Sequence, residues 1–437
     1  MEKGPSFVAL ALAGVERMRE KDRSARGRAA ALLLLLRGAD AAGEEKYRTL
    51  AEEDLRALWR GGVHDHIGGG FFAESLDGEW LRPRFEKRLD DNAILAFLYT
   101  EAWEKGRMGF YREAAEEALD FCLRDLADPS GLYRRGQYAA QSGEGENPYL
   151  FTPAQIAAIL PGDEGRHFAA CYDITDEDNC PGGSIPNLIL NRRWSFMPEG
   201  YDDLRERVRL AREERGGLVT DESPDGTGSA LLLAALAKAA RVFSDRRYLA
   251  AAEELAAKLP AQDAPDAAER AALCFALTEL YAADFAPARI SAAAAIAPAP
   301  EELLRASDRA LSLAALGFAA LLRLTGEERW RGDCAALLLG LARQRAVRGP
   351  ESLAALCAEI GLDRPRALLC LSPGERPPAA LGLIAARYAP ELAILLKTPA
   401  RAASLAAAAP WTAALEIGET DLFYSVENGK TGAPQGL

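Results

Sequence analysis

One pattern recurs three times along this chain. NAILAFLYTEAWEKGRMGFYREAAEEAL opens at Asn92, SALLLAALAKAARVFSDRRYLAAAEELA at Ser229, and LSLAALGFAALLRLTGEERWRGDCAALL at Leu311. Each copy holds an apolar helix, a short polar turn, an aromatic residue (Tyr111, Tyr248, Trp330) and a second helix. That is a repeated helical hairpin. One hairpin cannot bury its own apolar faces, so several must stack or close into a ring. Helical periodicity predicts helices at roughly 5–21, 25–37, 44–60, 91–106, 110–126, 153–160, 163–171, 199–215, 228–243, 246–259, 266–283, 308–324 and 327–345. Turn-rich segments separate them at 61–89, 128–150, 173–198, 216–227 and 285–300. After residue 350 the pattern changes: RALLCLS from Arg366 and LAILLK from Leu392 read as buried strands around a helix at Pro377–Tyr388, with a further strand after Asp421.

Between two helical segments lies GGVHDHIGGGFFAESLDGEWLRPRFEKRLDDNA, from Gly61 to Ala93. It packs five glycines into its first ten residues and carries two of the three histidines. A long polar connection on a rigid scaffold is where chemistry tends to be housed. Asp65, Glu86 and Asp91 are the candidate acid/base groups, since paired carboxylates serve glycosyl transfer and sugar epimerisation. Each has a structural alternative. Asp90, Asp91 and Asn92 open a helix, where carboxylates cap amides and suit the dipole. Glu86 and Lys87 can form a solvated ion pair. His64 and His66 flank Asp65; an imidazole there is a candidate general base, whereas a metal site lacks a third ligand nearby. Trp80, Phe71, Phe72, Tyr133 and Tyr149 make either a sugar-stacking platform or ordinary wall packing. Gly68–Gly70 supply left-handed turn geometry. The acidic run Asp173–Asn179 lacks the spacing of a calcium loop and reads as solvated.

Composition excludes several classes. A formal charge of −13 repels phosphate backbones, so no nucleic-acid partner is expected. The seven cysteines are odd in number, form no C-x-x-C and mostly sit in apolar runs, which predicts free buried thiols and no disulfide. With three histidines no zinc site is expected, and no cofactor is implied. The apolar N-terminal stretch is short and soon broken by charge, and Ala29–Leu36 is far too short to cross a bilayer. A cytoplasmic protein without a membrane partner is the expectation.

The 61–93 segment resembles the YyaL-type, spermatogenesis-associated proteins that carry an N-terminal thioredoxin-like domain. Their pattern runs GG-hydrophobic-Y-D-x-hydrophobic-GGGF, then D-x-x-W, then PHFEKMLYDNA. Gly61, Gly62, Asp65, Gly68, Gly69, Gly70, Phe71, Ser75, Asp77, Trp80, Pro83, Phe85, Glu86, Lys87, Leu89, Asp91, Asn92 and Ala93 match it. ALAKAARVFSDRRYLAAA and DITDEDNCPGGSIPN also look like segments of that family. The resemblance implies a mainly α fold: an (α/α)6 toroid of helical hairpins over 1–350, similar to six-hairpin glycosidases and N-acylglucosamine 2-epimerases, with a small C-terminal α/β extension over 351–437. It implies a carbohydrate-binding or carbohydrate-modifying protein, with Asp65, Glu86 and Asp91 catalytic and His64, Trp80, Arg84, Lys87 and Asn92 contacting a sugar-like ligand.

The departures bear on that activity. The motif histidine is Arg84 and its tyrosine Asp90; the Lys, Trp and Asn of a DDKxLTxWNGL stretch become Ser223, Gly228 and Ser229; a PSGNS-like segment reads ASDRALS from Ala306; and two tail cysteines become Val426 and Thr431. The thioredoxin-like part is expected to be absent, the chain starting where it would end, so a separate thioredoxin-like partner is a further expectation. The site is expected to be partly degenerate, and the alternative is a non-catalytic binding or scaffold homologue. Two geometric expectations follow: the helix starting near Asp91 lies in the inner ring, and Asp65, Trp80, Glu86, Lys87 and Asp91 converge on one cavity at the toroid mouth.

Overall fold

The computed structural model describes residues 12, 15, 22–140, 147–191, 200–259, 265–344, 350–360, 362, 365–385 and 387–435. The expected helix at 5–21 lies outside them apart from Leu12 and Val15, both fully buried. The helical part begins with α1 (Ala25–Ala42) and α2 (Glu45–Arg60), then β1 (Glu86–Arg88), α3 (Leu89–Gly106) and α4 (Gly109–Asp125). An insertion follows: β2 (Arg134–Ala139), α5 (Pro153–Ile159), α6 (Asp163–Cys171), α7 (Tyr201–Arg215) and β3 (Leu218–Pro224). The hairpins resume with α8 (Gly226–Phe243), α9 (Arg246–Lys258), α10 (Ala267–Asp284), α11 (Pro287–Ile296), α12 (Pro300–Leu303), α13 (Asp308–Thr325) and α14 (Glu328–Gln344).

These helices close a ring. α1, α3, α8, α10 and α13 each pack on the next, and a 3-10 segment, Pro350–Ala358, packs on both α13 and α1. α2, α4, α9, α11 and α14 lie against the outer faces of their inner partners. The expected alternation of inner and outer helices, with the Asp91 helix inside, is what the fold shows. Burial explains the two kinds of sequence. In α8 every residue from Gly228 to Ala240 is buried, because ring neighbours and α9 cover it all round; α9 buries only Tyr248, Ala252, Leu255 and Ala256, one stripe at helical spacing. The repeat aromatics Tyr111, Tyr248 and Trp330 are each at most 3% exposed.

The turns confirm the repeat and extend it. All five inner α-helices are followed by a residue in the left-handed region: Gly43, Arg107, Ser244, Phe285 and Gly326, with φ between 52° and 69°. The backbone therefore repeats five times where the side chains were similar enough to align in three. The 285–300 stretch, expected as turn, carries α11 instead. Pro287 occupies its first turn, where a missing N–H costs nothing.

The extension comprises β4 (Arg366–Leu371), α15 (Ala379–Ala385), β5 (Leu392–Lys397), α16 (Ala402–Ala408), β6 (Leu422–Glu427) and β7 (Lys430–Gln435), with strand order β5-β4-β6-β7. β4 and β5 are parallel across α15, as expected; β6 and β7 form a hairpin whose turn, Asn428 and Gly429, has φ of 50° and 68°. α13 packs on β4 and β5. Residues 350–358, just past the expected boundary at 350/351, pack on both α13 and α1.

Candidate functional site

The inner helices run parallel, so their first turns gather at one end. There the starts of α3, α8, α10 and α13 surround a cleft of about 540 Å³, walled on one side by the antiparallel sheet β1-β2-β3. The sheet contributes Glu86, Arg88, Arg135 and Asp221; the helix starts contribute Asp90, Asp225, Thr227, Ser307 and Arg309. Four helix N-termini make such a cleft electropositive, and its carboxylates Glu86, Asp90, Asp221 and Asp225 offset that.

Local structure sets each group. In β1, side chains alternate between faces, so Glu86 and Arg88 share the cleft face and pair at 2.6 Å. Across the sheet, Arg88 stands opposite Gly136 and Gly136 opposite Asp221. A Cβ on Gly136 would come within 2.5 Å of the Lys87 carbonyl oxygen, so only glycine permits this strand approach. Asp90, in the first turn of α3, pairs with Arg309. Asp225 caps α8 by accepting the Gly228 N–H at 2.9 Å, and Ser307 caps α13 by accepting that of Ala310 at 3.2 Å.

The expected convergence of Asp65, Trp80, Glu86, Lys87 and Asp91 is corrected: of these, Glu86 lines the cleft. Because Glu86 and Lys87 are successive residues of a strand, they point to opposite sides. Lys87 is fully buried and donates to Asp65 at 2.8 Å and to the Gly69 carbonyl at 3.1 Å. Asp65 also accepts from Arg212 on α7, at 2.9 Å to each oxygen, and from the amides of Ile67 and Gly68. Burial alone would raise the Asp65 carboxyl, but Arg212 and Lys87 outweigh it and hold it well below the usual range. Lys87 sits 4.0 Å above the Phe121 ring, and Arg212 5.1 Å from the Tyr149 ring centroid. This closed ion cluster ties the glycine loop to β1 and α7.

The other expected residues have structural placements too. Asn92 is fully buried and pins the loop to α3: it accepts the Phe71 N–H at 2.6 Å and donates to the carbonyls of Phe71 and Arg88 at 3.0 and 2.8 Å. Asp91, one residue round the helix from Asp90, is fully buried and outside the cleft wall. Trp80, at φ 62°, packs under Arg28. Arg84 is exposed, 3.5 Å from Glu74. His64, fully buried, places Nδ1 3.2 Å from the Trp59 carbonyl and Nε2 2.9 Å from Glu117. His66 faces the Gly61 carbonyl; burial and the adjacent His64 push its imidazole down to about 3. Phe72, Phe85 and Tyr149 pack on one another, which is the wall-packing alternative.

The altered second-half segments are structural as well. A Cβ on Gly228 would come within 2.8 Å of Leu89, and buried Ser229 accepts the Tyr133 N–H at 3.1 Å. ASDRALS, by contrast, supplies Ser307 and Arg309 to the cleft. Asp90 was weighed only as a capping residue; Arg88, Arg135, Asp221, Asp225 and Arg309 were missed as cleft residues. Their common signal is position: the hairpin repeat places the start of each inner helix at the same end. Among the described residues no group of three or more His, Cys, Asp or Glu has a metal-holding arrangement, and all seven cysteines are free thiols.

No family model matches the chain. Human spermatogenesis-associated protein 20 is 33% identical over 118 residues, which is 26% of this chain and 15% of that protein; the mouse protein is 33% identical over 163 residues, 34% of this chain and 21% of that protein. The matched stretch is thus about a fifth or less of these relatives' length. Among solved structures, cellobiose 2-epimerase from Bacillus thermoamylovorans aligns with a TM-score of 0.47 and 10% identity over 78% of this chain and 87% of that one. The GH76A alpha-1,6-mannanase of Salegentibacter sp. aligns at 0.40 and 12% identity over 64% of this chain and 63% of that one. The chain is a closed helical toroid, similar in one stretch to spermatogenesis-associated protein 20.

Proposed function

We propose that the cleft at the helix starts binds a carbohydrate, and that any chemistry there is acid/base chemistry centred on Glu86 and Asp90. The observation that carries this reading is the gathering of four carboxylates and three arginines from separate elements around one cleft. Such walls present acceptors and charged donors to a polyhydroxylated ligand, and paired carboxylates are what glycosyl transfer and epimerisation require. Asp65 and Asp91 take no catalytic part in this reading, because neither lines the cleft.

Binding without efficient turnover is the favoured form. Gly228 and Ser229, which replace a Trp and an Asn of the family pattern, are committed to packing α8 against Leu89 and Tyr133. The test is a glycan and monosaccharide panel, read for both binding and turnover, on the wild type, Glu86→Gln and Asp90→Asn. Saturable binding that both variants weaken, with little product formed, is the expected result. Binding indifferent to both substitutions refutes the site. Fast turnover that the variants abolish refutes the non-catalytic form.

A further inference from the structure

At the opposite end of the ring, under the C-terminal extension, the ends of the inner helices enclose a second polar region. Two adjoining cavities, of about 120 and 560 Å³, share Arg37, Leu316, Arg323 and Pro390 as walls. The first is walled by five cations, Arg37, Lys238, Arg241, Arg323 and Arg387, against two carboxylates, Glu104 and Glu279. A positive wall is unexpected in a chain of charge −13.

Most of these charges are spoken for. Arg37 donates to both oxygens of the fully buried Glu101 at 2.6 Å, and Tyr388 bonds Glu101 at 3.1 Å. Lys238 lies 3.1 Å from Glu101 and 3.7 Å from Glu104, which also accepts from Arg241 at 2.8 Å. Arg323, half-buried in the last turn of α13, has no hydrogen bond or ion pair among the described residues. Burial and the nearby Arg37 guanidinium push it down to about 10, against the more distant pull of Glu391 and Glu279, neither of which bonds it. A cation near a helix C-terminus suits the dipole, but that need is met in solvent as well as in a cavity. Apart from Thr278 and Tyr281 the rest of the wall is apolar and includes Phe275, Leu324 and Ile394. Arg323 lines both cavities with no carboxylate bonded to it among the described residues, and its planar fork matches a carboxylate in two parallel hydrogen bonds.

We propose that this cavity binds a small organic carboxylate, its charged end on Arg323 and its apolar body against Phe275, Leu324 and Ile394. The site is separate from the cleft at the helix starts, and its test does not depend on what binds there.

The experiment is calorimetric titration of the full chain at pH 7 with benzoate, benzamide and phenyl phosphate, followed by a crystal soaked in benzoate. Expected are saturable one-to-one binding of benzoate, at least tenfold weaker binding of benzamide, and density for the carboxylate on Arg323. Arg323→Met and Arg323→Lys should each weaken benzoate at least tenfold, the latter because a point charge lacks the fork. Their thermal unfolding verifies that they fold. Glu86→Gln should leave benzoate binding unchanged. Absent binding, equal binding by folded Arg323→Met, or density elsewhere overturns the proposal. Tighter, Arg323-dependent binding of phenyl phosphate overturns the carboxylate assignment in favour of a phosphate ester.

Discussion

Replacing Asp65 by asparagine separates a structural carboxylate from a catalytic one. Its side chain is 4% exposed and holds two cations, Lys87 at 0% and Arg212 at 3%. Asparagine keeps the shape but leaves both cations facing a neutral amide. Removing one member of a buried ion cluster costs about 3–5 kcal/mol. The Phe121 and Tyr149 faces beneath Lys87 and Arg212 still attract each cation, at about 1 kcal/mol apiece. Lys87, already pushed down by burial, relieves the remainder by releasing its proton. The lower part of the range, ~3 kcal/mol, is therefore expected. An unfolding entropy of about 2.1 cal/mol/K per residue gives ~0.9 kcal/mol/K for 437 residues unfolding as one unit, hence a Tm loss of ~3–4 °C. The sign with pH follows from Asp65 being held below its unfolded value. Its contribution is present above pH ~4 and lost as pH falls below it, at ~1.4 kcal/mol per unit. The assay is scanning calorimetry from pH 3 to 8 on the wild type, Asp65→Asn, and the triple variant Asp65→Leu, Lys87→Met, Arg212→Met. Restoration of Tm in the triple variant, which removes all three charges, is expected. An unchanged Tm in Asp65→Asn together with lost ligand binding at the cleft refutes this reasoning and returns Asp65 to the site.

Asn92→Ala strands the buried N–H and carbonyl of Phe71 and should cost about 2–4 kcal/mol, read by chemical denaturation. Gly70→Ala places a Cβ 2.7 Å from Phe121 and 2.8 Å from Asn92 at φ 79°, and should cost about 1–3 kcal/mol in the same assay; an unchanged midpoint contradicts the packing described. His66 is held neutral to about pH 3, whereas an unfolded histidine protonates near 6.5, so stability falls by ~1.4 kcal/mol per unit as pH drops below ~6.5. His66→Gln should flatten that slope; a slope equal to wild type excludes His66 as its source. Native protein should expose few reactive thiols, because burial pushes Cys274, Cys334, Cys357 and Cys370 up to about 12, and seven should titrate after unfolding. Fewer than seven in denaturant refutes the free-thiol assignment.

The fold was legible where burial leaves a long-range pattern. NAILAFLY, SALLLAALA and LSLAALGFA are apolar all round because ring neighbours and outer helices cover them, and that is visible without coordinates. The α10–α11 hairpin escaped because Pro287 and the alanine-rich stretch after it read as turn, while its left-handed Phe285 leaves no side-chain signature. The site was legible only in location. The 61–93 segment does border the cleft, but β1 is three residues long, too short to show alternation, and alternation is what sends Glu86 outward and Lys87 inward. Arg309 reaches Asp90 across 219 positions of sequence, a pairing that local spacing cannot reveal.

The closing contact of the ring joins α1 to residues 350–358. During synthesis α1, with Leu32–Leu36 all destined for burial, emerges about 300 residues before the segment that covers its remaining side. At ribosomal speeds of about 5–20 residues per second, that apolar flank stays uncovered for on the order of 15–60 s. The nascent chain is thus an open crescent with one sticky edge, and its last stave arrives only with residues 350–358. A stalled or clipped chain ending before residue 350 would keep that edge, and its natural fate is to pair with the matching edge of another unfinished crescent.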